Sequence, residues 1–129
     1  MPLLLDTHVL LALFDDKAAG LDSELVAALG TDGCAVSIAS LWEIANKVRQ
    51  NKLALAIPVS DMELEIGRLG CAVLPILAAH VVAEVTPWPD TNDPFDRLLL
   101  AVCAVERLRL VTRDGKLVDH PLAWRGRPA

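Results

Sequence analysis

Apolar residues in this chain come in short bursts separated by acids, glycines and prolines. Leu3-Leu4-Leu5 stops at Asp6, and Thr7 to Phe14 follows with apolar positions at helical spacing, which predicts a buried strand running into a helix. Asp22 to Leu29 has the form of a second helix, with Gly30 and Gly33 breaking it. Cys34-Ala35-Val36 reads as a second strand. Ser37 is placed to cap a helix on which Ile38, Leu41, Trp42, Ala45 and Val48 recur at offsets of 3, 4, 7 and 10 and form one buried stripe.

Ser60, three residues ahead of Glu63, has the form of a capping box, and Gly70 ends the helix it would start. Cys71 to Leu77 reads as a third strand and Ala78 to Val85 as a helix, with a loop holding two prolines from Thr86 to Asn92. Asp93 then supplies an N-cap, Pro94 the first helical position and Asp96 an acid in the first turn, ahead of the apolar stretch Leu98 to Val105. Arg109 to Thr112 makes a fourth strand, with Asp114 close behind it.

Strands alternating with helices predict an α/β fold: a single domain over residues 1–129 with a central parallel sheet of four to five strands and helices on both faces. A hydrophobic fraction of 53% supplies one large core and excludes disorder as the main state. The longest stretch free of Asp, Glu, Lys and Arg, residues 69–83, contains Pro75 and His80. It is shorter than the roughly 18 residues a membrane span needs, so no membrane association is expected. The first residues carry no basic region, which argues against a secretory signal and makes a cytoplasmic location the expectation. Cys34, Cys71 and Cys103 show neither CxxC nor Cys/His spacing and are expected as reduced core residues. The net charge is −5, and residues 1–46 alone carry −6, so a general polyanion-binding surface is not expected, only local basic clusters.

The acids change the picture most. Open parallel sheets bind ligands beyond the carboxyl ends of their strands, and Asp6 and Asp114 stand at or just past two such ends. Glu43 lies about two turns into the helix after the second strand, and Asp93 and Asp96 open the helix before the fourth. Each has a plain structural use: Asp6, Asp93 and Asp114 as caps, Asp96 as a helix-dipole acid, Glu43 as the i,i+4 partner of Lys47. Gathered in one pocket, such carboxylates repel one another unless a divalent cation neutralises them, and an oxygen-only donor set suits Mg²⁺ or Mn²⁺.

Leu4-Leu5-Asp6-Thr7-His8, Val36 to Ala45 with its Ser-Leu-Trp-Glu core, Asp93-Pro94-Phe95-Asp96-Arg97-Leu98-Leu99 and Leu110-Val111-Thr112-Arg113-Asp114, in that order, closely resemble the PIN-domain family, and within it the toxin nucleases of VapBC-type toxin–antitoxin pairs. The resemblance implies an acidic quartet of Asp6, Glu43, Asp96 and Asp114 that holds Mg²⁺ or Mn²⁺ and cleaves RNA. It also implies supporting roles for Thr112, Asp93 and Thr7, a small cognate antitoxin with a basic-apolar tail, and a homodimer. The dimer surface is expected on the early helices, from Thr7 to Leu29. Thr91 and Asn92 stand where relatives often carry a His, so no His from that loop is expected to contribute, and His8 stands where many have Asn.

Lys47, Arg49, Lys52, Arg97 and Arg113 are candidates for a phosphate-guiding rim, with solvated helix faces and local ion pairs as the plainer use. Trp42 belongs to the buried stripe. Trp88, in the Pro-rich loop, is the candidate for base stacking or a subunit contact, packing being the commoner role of such a residue. His80 and His120 have no motif and are expected as structural or surface residues. Two other classes share some of these features. A receiver-like phosphoacceptor domain would show adjacent acids early, whereas Asp6 stands alone, and a catalytically silent PIN-like binding module would have lost acids that are all present here.

Overall fold

A computed structural model describes residues 2–15 and 23–125. Four strands, β1 (Leu3–Leu5), β2 (Cys34–Ser37), β3 (Cys71–Leu74) and β4 (Arg109–Val111), form one parallel sheet in the order β3-β2-β1-β4. Six helices accompany them among the described residues: α1 (Thr7–Phe14), α2 (Ser23–Asp32), α3 (Ile38–Arg49), α4 (Met62–Arg68), α5 (Ala78–Val82) and α6 (Pro94–Glu106). Asp22, the expected start of the second helix, and residues 16–22 of the expected dimer surface lie outside the described residues.

Strand alternation sorts the core into two layers. Leu3, Leu5, Cys34 and Val36 join Val9 and Leu10 of α1, Leu25 and Ala28 of α2, Ile44 and Ala45 of α3 and Met62 and Ile66 of α4. Leu4 and Ala35 face the other way, onto Leu99 to Cys103 of α6, with Val85 and Leu110. The sheet is therefore covered on both faces, and its short strands are buried throughout except at the β3 edge and at Arg109. A parallel bridge between Leu110 and Ala123 extends the sheet beyond β4.

Caps follow the sequence closely. Ser37 Oγ accepts from Ala39 N at 3.1 Å, and Asp93 Oδ1 accepts from Phe95 N at 2.9 Å with Pro94 in the first turn. Other boundaries differ. α2 runs through Gly30 and stops at Gly33, whose φ of +84° suits a residue without a Cβ. The Ser60–Glu63 capping box is absent: a 3₁₀ turn, Val59–Asp61, fills the position, and α4 begins only at Met62 with no side-chain cap. β3 ends at Leu74 because Pro75 has no N–H for the ladder, and α5 ends at Val82.

Two expectations are corrected, one about burial and one about the cysteines. The α3 face that packs inward is Ala39, Ser40, Ile44 and Ala45, whereas Trp42 is 58% exposed and Ile38 40%. Periodicity gives the width of an apolar stripe but not its centre, and Trp42 turns out to lie against Phe95, ring centroids 5.8 Å apart, instead of under the sheet. Cys34 and Cys71 are not reduced. They are register partners on β2 and β3, with Cα atoms 4.7 Å apart, and their sulfurs form a disulfide. Their separation of 37 residues carries no signal of that pairing, which only the strand register creates. Cys103 alone is free among the described residues, and burial pushes its thiol up to about 12.

Candidate active site

In the order β3-β2-β1-β4 the chain builds outward from β1 on one side and returns to its other side with β4, so the topology switches between β1 and β4. A crevice opens at the carboxyl ends of two such strands. Asp6 follows β1 directly, and its N–H continues the ladder to Val111 O at 2.9 Å. Its side chain is held from both sides: Oδ1 accepts from Thr7 N at 2.7 Å, and Oδ2 accepts from Thr112 Oγ1 at 2.7 Å. Thr112 Oγ1 in turn accepts from Asp114 N at 3.0 Å, so one hydroxyl ties the acids after β1 and β4 together. Asp114 caps the next turn, its Oδ1 accepting from Lys116 N at 2.9 Å. The cap and the candidate-ligand readings of these acids are compatible, because each carboxylate oxygen has lone pairs to spare beyond one such bond.

From the α6 side come Asp93 and Asp96. Thr91 Oγ1 donates to Asp96 Oδ2 at 3.1 Å and accepts from Asp93 N at 3.1 Å, so it holds the helix start and the acid at once. Asp96 is buried, and its carboxyl is pushed up to about 6. Burial is the largest cause and the neighbouring charge of Asp93 the next. The Thr91 hydroxyl opposes the rise, and the charges of Asp6 and Asp114 add to it. Asp96 thus feels the charges of two others of the expected quartet, and of Asp93.

Glu43 enters from α3. Two contacts seat that helix: Thr7 Oγ1 donates to Ser40 Oγ at 3.0 Å on the α1 side, and Trp42 meets Phe95 on the α6 side. The Glu43 side chain is mostly buried and pairs with Lys47 at 3.7 Å, the i,i+4 partner expected for it. Of the candidate rim, Lys47 is engaged there. Arg49 ends α3 and Lys52 follows it, both exposed and away from the helix start, while Arg113 sits exposed between Thr112 and Asp114. Arg97 is bound locally: Nε donates to Thr91 O at 2.9 Å, and the guanidinium lies 4.5 Å over the Trp88 ring. His8 is exposed, while His80 and His120 are buried in hydrogen bonds, as structural residues.

Thr91 and Ser40 carry structural weight in the site that the sequence did not single out. Thr91 had a usable signal: a threonine two residues before an N-cap Asp can accept that residue's N–H. Ser40 had none, since its partner Thr7 is 33 residues away.

The donor set suits a hard divalent cation: burial, and after it the charge of neighbouring acids, raises the Asp96 carboxyl, and a cation would offset the charge part of that rise. Among the described residues no three of the acids, histidines or cysteines yet stand close enough to share one ion, so ligation needs their side chains to turn toward a common point.

Residues 3–121 match the PIN domain family. The chain is 34% identical over 91 residues to Ribonuclease VapC22 of Mycobacterium tuberculosis (strain ATCC 25618 / H37Rv), a match covering 69% of this chain and 68% of that protein. In fold it resembles a chain of a toxin-antitoxin complex from Klebsiella pneumoniae, with a TM-score of 0.60 at 18% identity and 95% of each chain covered. Nearly the whole of this α/β chain, with its acids set around the β1/β4 crevice, belongs to the PIN domain family.

Proposed function

We propose that this chain is a Mg²⁺- or Mn²⁺-dependent endoribonuclease and the toxin of a two-protein toxin–antitoxin pair. The observation that carries the reading is the shared electrostatics of Asp96 with Asp93, Asp6 and Asp114 at the β1/β4 switch point. A ribonuclease relative at 34% identity and the toxin-antitoxin setting of the solved structural relative support it.

Asp6, Asp96 and Asp114 would hold the ion, with Glu43 as a further ligand or as the group that orients the attacking water. A bound divalent ion supplies a more acidic water and neutralises charge on the leaving oxygen. The chain itself does the positioning. Thr112 keeps Asp6 aimed across the crevice, Thr7 links the start of α1 to α3, and Asp93 fixes the first turn of α6 on which Asp96 rides. Arg97 and Arg113, each next in sequence to one of these acids, offer positive charge to a substrate phosphate. A single-stranded or looped RNA is the substrate that fits, since its backbone enters a cleft that a duplex cannot.

The partner is a short antitoxin with a basic-apolar tail, whose Arg or Lys would enter the acidic crevice while its apolar residues cover exposed helix surface. The site acts in the cytoplasm, in a homodimer, and among the described residues no helix is long and apolar enough to cross a membrane. Cleavage of labelled RNA with Mn²⁺, run beside Glu43→Gln, tests the enzyme reading: the variant stays folded and loses most activity. Equal cleavage by both would remove Glu43 from the mechanism. Growth arrest on expression, relieved by the co-expressed neighbouring small protein, tests the toxin reading, and its absence would leave a nuclease without that role.

A further inference from the structure

Two hollows lie beside the acids and share one wall. The first, about 350 Å³, is mainly apolar and is bounded by His80, Val81, Val85, Pro94, Leu98 and Ala101. The second, about 240 Å³, is polar and is bounded by Asp90, Thr91, Asn92 and Lys116. Trp88, Pro89 and Arg97 line both.

The shared wall is well anchored on one side and open on the other. Arg97 is held by Thr91 O and lies across Trp88, yet the indole is 67% exposed, so much of its surface is free to take another flat group. An aromatic face with a guanidinium next to an apolar recess is the chemistry that receives an unstacked base. The polar hollow beside it brings Arg97 and Lys116 against a single acid, Asp90, a balance that suits a phosphate. It also borders the acid site. Thr91 bonds Asp96 and Lys116 N bonds Asp114, so both acids are one hydrogen bond from its lining.

The geometry points to a nucleotide subsite here, with the base of single-stranded RNA in the apolar hollow against Trp88 and its phosphate in the polar hollow by Arg97 and Lys116. This rests on the ribonuclease reading, because the strand would run from the subsite toward Asp96 and Asp114. The His80 ring has no free nitrogen to read a base edge: Nδ1 accepts from Leu77 N, which leaves Nε2 to donate to Glu106 at 2.8 Å. What the subsite offers a base is chiefly the Trp88 face, a contact that every base can make.

The test is binding of a fluorescein-labelled single-stranded RNA decamer at low ionic strength with EDTA, followed by anisotropy and by tryptophan fluorescence. Stacking on one base is lost in Trp88→Leu, which weakens affinity about 5- to 100-fold and reduces the quenching that RNA causes. Lys116→Ala lowers the slope of log affinity against log salt by about 0.7. An abasic RNA binds wild type no better than intact RNA binds Trp88→Leu. Affinity within twofold of wild type for Trp88→Leu, without loss of quenching, overturns the subsite. So does a Trp88→Leu protein that keeps its RNA affinity but changes from dimer to monomer in light scattering, since the hollow then belongs to a contact between copies. Cleavage by wild type in Mn²⁺ is scored separately. No cleavage with Trp88-dependent binding rejects the nuclease and keeps the subsite, and cleavage with Trp88-independent binding does the reverse.

Discussion

Thr112 Oγ1 donates to Asp6 Oδ2 at 2.7 Å and so joins residues 106 apart in sequence, from just past the end of β4 to just past the end of β1. The same oxygen accepts from Asp114 N, which makes this hydroxyl the link between the first and last acids of the site.

Thr112→Val keeps the shape of the side chain and removes that link. A hydrogen bond to a carboxylate contributes about 1.5–3 kcal/mol, so the variant should lose about that much stability in urea and cleave RNA at least tenfold more slowly. Wild-type stability together with wild-type cleavage would show that Asp6 needs no such anchor.

Asp96→Asn should stabilise the metal-free protein, and only above mildly acidic pH. The folded carboxyl titrates near 6, above its ordinary 3.8. Folding therefore favours its neutral form: the group adds no penalty below about 4, and stability falls as pH rises from there through 6. Discounted for the screening that water provides, the gain in the variant at pH 7.5 is about 1–2 kcal/mol, a few degrees in Tm. It should vanish at pH 3.5. Because the variant also lacks one of the proposed ligand charges, millimolar Mn²⁺ should raise its Tm less than that of wild type. A Tm gap independent of pH would contradict this.

The disulfide between Cys34 and Cys71 makes a count. Protein purified without reductant and unfolded in guanidinium should show one reactive thiol, Cys103, and three after reduction. Three thiols before reduction would mean that the β2–β3 pair is held as thiols, which is the usual state in a reducing cytosol.

Much of this arrangement is legible in the sequence. The local signals, Asp6 after β1, Ser37 before α3 and Asp93-Pro94 before α6, hold because they involve neighbours in the chain. What the sequence hid depends on contacts made at a distance. Trp42 reads as core by periodicity, yet its place is decided by Phe95 on another helix. The Ser60 capping box gives way to a 3₁₀ turn after Pro58, and the cysteine pairing exists only through the register of two strands. Candidate site residues are visible as acids at strand ends, whereas the Thr91 hydroxyl's bond to Asp96 and the Thr7–Ser40 bond between α1 and α3 depend on the packing.

Trp42→Ala offers a test of how α3 is seated. Removing the ring from Phe95 should cost about 0.5–1.5 kcal/mol beyond the small loss expected for an exposed side chain. Cleavage should drop with it if, as proposed, α3 brings Glu43 to the other acids. A variant that loses stability but cleaves RNA at the wild-type rate would separate the Trp42–Phe95 contact from the placement of Glu43.

The central claim is that the acids around the β1/β4 crevice form one metal-dependent RNA-cleaving site, and single-turnover cleavage of 5′-labelled RNA by wild type and Asp6→Asn, in EDTA and in Mn²⁺, tests it most directly. The account predicts cleavage only by wild type and only with Mn²⁺, with Asp6→Asn at least 100-fold slower (about 2.7 kcal/mol or more in the barrier) although folded by circular dichroism. Equal cleavage by wild type in EDTA, or by Asp6→Asn in Mn²⁺, would contradict it.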